Sequence, residues 1–119
     1  MPVTSEFLKE LDTEYLRLNA LSQDAAPRGG SIPVGGGDWM DYFFKAEAVH
    51  GMLSSLRHRK TYKQSFANGC AASRGAIKIW NSRREYQVRR WEGWVEDFLE
   101  SVCRRCSRSV SEKLRVRGK

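Results

Sequence analysis

The stretch GAIKIWNSRREYQVRRWEGWVEDFLESVCRRCSRSVSEKL, residues 75–114, decides how this chain is read. Ile77 and Ile79 alternate with Lys78 and Trp80, which is the period of a half-buried strand. Asn81-Ser82-Arg83-Arg84 is polar enough to turn the chain, and Tyr86 and Val88 then alternate with Gln87, Arg89 and Trp91. Paired as a hairpin, the two runs put Ile77, Ile79, Tyr86 and Val88 on one face. Lys78, Trp80, Gln87, Arg89 and Trp91 fall on the other. Folding alone gives little reason for a face of cations, an amide and indoles, whereas a nucleic-acid backbone would select one. From about Gly93 the pattern becomes helical: Val95, Leu99, Val102, Cys106, Val110 and Leu114 form an apolar seam, with Arg104, Arg105 and Arg108 off it. So regular a seam on a long terminal helix predicts self-association, a dimer interface built from Val95, Leu99, Val102, Cys106 and Val110.

Working outward, residues 4–21 carry Phe7, Leu8, Leu11, Tyr15 and Leu18 at spacings of three and four, an amphipathic helix that Thr4 or Ser5 can cap. Residues 24–37 (DAAPRGGSIPVGGG) break it with prolines and glycines and read as a linker, with Ser31–Val34 able to lie extended as an edge strand. Asp38 opens a second helix with an apolar stripe through Trp39, Tyr42, Phe43, Ala46, Val49, Leu53 and Leu56, ending at Arg57-His58-Arg59-Lys60. Residues 61–73 form a shorter third helix, with Asn68-Gly69 as a turn-prone pair inside it. The 119 residues make a single domain: an N-terminal amphipathic helix (1–23), a Gly/Pro linker (24–37) and a basic α+β core (38–119).

Charge is divided unevenly. The first 56 residues hold four basic and eight acidic side chains, which leaves 17 basic and six acidic for residues 57–119. A half-chain with net charge +11 points to a polyanion. The alternative is a solvated basic surface that serves solubility. The absence of a long apolar run or an N-terminal leader pattern, together with an odd number of cysteines, leads us to expect a cytoplasmic protein.

No catalytic constellation stands out, so no enzyme activity, cofactor or small-molecule substrate is expected. Cys103-x-x-Cys106 has zinc-like spacing, and Cys70, His50 and His58 could complete a ligand set. Both cysteines lie inside a helical stripe, however, where a free thiol behaves as a small hydrophobe, so no metal is expected. The basic–aromatic hairpin gives the stronger signal, because cations neutralise phosphates and exposed indoles stack on bases. The other reading of Trp80 and Trp91 is a second core layer.

From about Glu47 to Leu114 the chain resembles the small RNA-silencing suppressors of the plant tombusvirus group, including the shorter aureusvirus form. The similarity lies in Glu47-Ala48 opening a Leu-rich helix, Ala71-Ala72-Ser73-Arg74 ending the next, the basic hairpin around Ile77-Lys78-Ile79, and a terminal helix with a Cys-containing, Ser/Arg-rich register ending near Glu112-Lys113-Leu114. The resemblance implies an α+β homodimer whose sheets join across the two-fold axis and bind double-stranded RNA independently of sequence, sequestering small interfering RNA in the host cytoplasm. RNA contact would then fall to Lys60, Lys63, Arg74, Lys78, Trp80, Arg83, Arg84, Gln87, Arg89 and Trp91. Tombusvirus suppressors measure duplex length with two tryptophans three residues apart. The first helix here has no Trp, but Trp39 and Tyr42 have that spacing and are the end-stacking candidates, with Trp91 and Trp94 the other pair.

Two rival readings accompany this one. The first is a helical interaction module that engages an acidic or Argonaute-type partner, for which Gly93-Trp94 offers a single hook. The second is a basic helix lying on a membrane surface, although the expected partner is RNA and no membrane.

Overall fold

A computed structural model describes residues 3–26, 37–82 and 93–117. They form four α-helices: α1 (Ser5–Ala25), α2 (Gly37–Arg57), α3 (Tyr62–Ser82) and α4 (Val95–Arg117). No strand occurs among the described residues, so the fold is all-α and the α+β expectation is corrected.

The correction turns on α3. The helix expected to stop at Ser73 continues through Ile77-Lys78-Ile79-Trp80 to Ser82. Ile77 is fully buried while Ile79 is 55% exposed, although a strand would put both on one face. On a helix they stand about 200° apart, which accounts for the difference. Ile77 instead completes the series Ser65, Gly69, Ser73, Ile77, spaced by four and all buried. Four alternating residues satisfy either period, and the longer series decides between them. The second expected strand (86–91) and the possible edge strand (31–34) lie outside the described residues.

Small residues let α3 approach α2 closely. A Cβ added at Gly69 would lie 2.6 Å from the Ala48 carbonyl oxygen, 2.9 Å from Leu99 Cδ2 and 3.0 Å from Met52 Cβ. One at Gly51 would lie 2.8 Å from Ala72 Cβ. Asn68-Gly69 is therefore the contact point of two helices rather than a turn. At this crossing Ser73 Oγ donates to the Phe44 carbonyl (2.8 Å), and Asn68 Nδ2 donates to Ser55 Oγ (3.1 Å).

α2 is the central helix and packs against all three others. Met40, Phe44, Ala46, Ala48, Val49, Met52, Leu53 and Leu56 are buried around it, as befits a helix that presents little surface to water. α1 begins at the Thr4 cap, whose Oγ1 accepts from the Phe7 N–H (3.1 Å), and buries Phe7, Leu11 and Leu18. It runs antiparallel to α2, with Ser22 Oγ bonded to the Trp39 carbonyl at one end and Arg57 paired with Asp12 nearer the other. The molecule extends 53 × 27 × 22 Å, in keeping with the exposure of residues 111–117 at the end of α4.

Candidate nucleic-acid interface

The seam of α4 is used within the chain. Val95, Leu99, Val102, Cys106 and Val110 are all buried in the single core, together with Cys103. The five residues expected to join two protomers are thus covered by α1, α2 and α3 of their own chain. A dimer that keeps this fold would need other residues.

The opposite side of α4 is cationic. Arg104, Arg108 and Arg115 are spaced by four and seven, which places them on one face about 180° from the seam. All three are exposed, and none makes an ion pair among the described residues. The stripe is roughly 16 Å long at 1.5 Å per residue. Arg108, Ser111, Glu112 and Arg115 line a shallow depression of about 260 Å³ on it.

A second cationic region is the turn between α2 and α3, where Arg59, Lys60 and Lys63 are exposed. The Lys60 N–H donates to the Ser55 carbonyl and the Arg59 N–H to the Leu56 carbonyl, both at 3.1 Å, closing α2 with Arg59 at φ 62°. Glycine favours that left-handed position, and an arginine there bears strain. Thr61 and Gln64 then cap α3 reciprocally: each side chain accepts the other's backbone N–H at 3.1 Å. Tyr62 lies close to Cys103 and faces Phe7 at 6.3 Å between ring centroids, so the turn lies beside the middle of α4. Burial, with Cys103 adding to it, raises the Tyr62 pKa well above its ordinary value.

The remaining sequence-predicted residues are dispersed. Lys78 is exposed on α3 but 18 residues beyond Lys60, roughly 27 Å along a helix axis. Arg74 is ion-paired with Glu96 of α4. Trp80, partly buried against the hydrophobic core, packs edge-on against Trp39 (centroids 5.7 Å apart, planes at 82°). Trp39 and Tyr42 are partly buried against the same core, and Lys45 stands over the Tyr42 and Phe98 rings at 5.9 and 5.5 Å. Arg83, Arg84, Gln87, Arg89 and Trp91 lie outside the described residues.

Sequence reading put Arg104 and Arg108 off the apolar seam without assigning them to the interface. Their offset from Arg115 was the available signal, and it was overshadowed by the apparent hairpin. Among the described residues one tryptophan faces solvent: Trp94, 60% exposed, borders a cleft of about 420 Å³ with Lys45, Asp97 and Phe98.

No cluster of three or more potential metal ligands occurs among the described residues. Cys70, Cys103 and Cys106 are free and buried. Burial raises all three thiol pKa values, to about 11 for Cys70 and about 12 for Cys106. No helix among the described residues is long and apolar enough to cross a membrane. Comparison with family models, curated proteins and solved structures finds no match.

Proposed function

We propose that the protein binds double-stranded RNA through its phosphate backbone, independently of sequence, and suppresses RNA silencing by sequestering small duplexes. The carrying observation is the stripe Arg104, Arg108, Arg115, three exposed cations in helical register with no carboxylate pairing them among the described residues. Arg59, Lys60 and Lys63 add a second group of exposed cations at the turn between α2 and α3. Such groups release condensed counterions on binding and carry no base information. The choice of RNA over DNA, and the silencing role, rest on the resemblance over residues 47–114. The contact surface is now helical.

Gel shifts with duplex RNA, duplex DNA and single strands at two salt concentrations test this. Tight, salt-sensitive binding to duplex RNA is expected, weakened at least tenfold in the triple variant R104E/R108E/R115E. Equal affinity for all three nucleic acids, or no binding at low salt, overturns the proposal.

A second reading, a helical module for a protein partner, is favoured by the exposed Trp94 above its cleft. If silencing suppression is lost in Trp94→Ala while duplex affinity is unchanged, that reading replaces sequestration.

A further inference from the structure

The acidic and basic halves of the chain meet along α1 and α4. Glu6, Glu10 and Glu14 recur every four residues on α1. Across the antiparallel helix pair they meet Arg117 (3.5 Å), Lys113 and Arg105 (3.4 Å), respectively. Glu14 also accepts from Arg17 of its own helix. α4 therefore carries two sets of cations: Arg105, Lys113 and Arg117 held against glutamates, and Arg104, Arg108 and Arg115 without such partners among the described residues.

The two ends of each pair differ in exposure. The glutamate side chains retain 27, 19 and 13% of their accessible surface, their cations 64, 55 and 53%. Drawing a cation away to a phosphate would leave a carboxylate on a largely covered side chain without its partner, which costs more than separating two fully solvated ions. α1 itself is anchored by Phe7, Leu11 and Leu18, all nearly fully buried, so the glutamates cannot leave with their helix unless the core opens.

We propose that the Glu6–Glu10–Glu14 face of α1 is a built-in competitor for polyanions that withholds three cations of α4 and confines the phosphate contacts of that helix to its Arg104–Arg108–Arg115 face. This inference rests on the polyanion-binding reading above. Its consequence is a weaker and less salt-dependent affinity than the net charge would give, and contact on a defined side of α4.

The test is a mutant cycle on the full chain, with a mixed-sequence RNA duplex and with heparin as probes, and with helicity checked by circular dichroism. Lys113→Gln alone should leave duplex affinity within about twofold of wild type. The variant E6Q/E10Q should bind about tenfold more tightly at low salt and steepen the salt slope by about 0.9 for each of the two cations freed. Adding Lys113→Gln to E6Q/E10Q should then remove about half of the added slope. Glu112→Gln, which removes one carboxylate beside the free stripe where E6Q/E10Q removes two, measures the general field effect per charge. The inference is overturned if Lys113→Gln weakens binding equally in both backgrounds, or if Glu112→Gln alone gives half the effect of E6Q/E10Q. If wild type retains heparin but not the RNA duplex, and the cycle holds on heparin, the RNA reading falls and the competitor stands. Failure to bind either probe overturns both.

Discussion

The indole of Trp80, near the end of α3, meets the indole of Trp39, near the start of α2, edge to face with centroids 5.7 Å apart. Edge-to-face pairs of this kind are attractive beyond the area they bury. The contact joins the ends of two helices through residues 41 positions apart and makes Trp80 a packing residue. Trp80→Ala should therefore lower unfolding free energy by about 2–3 kcal/mol, somewhat under the loss at fully buried tryptophans. In urea titrations the midpoint should fall, while duplex affinity under folding conditions stays unchanged. Loss of affinity with stability intact would return Trp80 to the interface.

Two glycines of α3 test the helix itself. Gly75 is exposed, and a methyl group added there would have nothing within 4 Å, so Gly75→Ala should stabilise by about 0.5–1 kcal/mol through helix propensity. Gly69→Ala gains the same propensity but forces a methyl to 2.6 Å from the Ala48 carbonyl oxygen. Overpacking of that kind outweighs it, with a net loss of about 1–3 kcal/mol. Opposite signs in chemical denaturation are expected. A destabilising Gly75→Ala would point back to a chain break at residue 75.

Arg59 occupies a left-handed position where glycine carries no penalty. Arg59→Gly should raise stability by about 1 kcal/mol. It should also reduce the salt slope of duplex binding by about 0.9, since one cation of the proposed phosphate-binding surface is removed. Stability would rise as affinity falls, the trade expected where strain is retained for function. A gain in stability with no change in salt slope would confine Arg59 to a structural role.

Stability should decline at both ends of the pH range. Burial works against the Glu14 carboxylate, but Arg17 and Arg105 outweigh it and hold its pKa below the ordinary value. The contribution is present above the unfolded-state pKa, roughly 4.3, and is lost as pH falls through the lower folded value. The thiols have the opposite sign. Their folded pKa values are raised, so their contribution is full below the unfolded value of about 8.5 and disappears as pH rises toward 11–12. Thermal melts from pH 3 to 10 should show both flanks, with Glu14→Gln flattening the acid one. At neutral pH the thiols should react with a disulfide reagent only on unfolding, and chelators should leave the melting temperature unchanged. Rapid labelling of the folded chain would contradict their burial.

The terminal helices were legible because their signals are local. Thr4 caps α1 as its side chain and position suggest, and the seam of α4 is buried from Val95 to Val110 as the period of 3.6 requires, while Leu114 at its end is exposed. The fate of that seam was not legible. An apolar stripe must be covered, yet periodicity does not say whether the cover comes from the same chain or another. At residues 77–80 a short alternation satisfied two periods at once. Only the burial of Ile77 beside its partners at 65, 69 and 73, under α2, separates them.

The charge pattern divides in the same way. The amino-acid order alone determined that 17 cations lie after residue 56 and that α1 carries glutamates every fourth position. Tertiary structure decided which of those cations remain available. Glu10 and Lys113 are 103 residues apart and meet only because α1 and α4 pack antiparallel over a shared core. Electrostatic pairing depends on distance in space, and the burial of the apolar faces sets that distance.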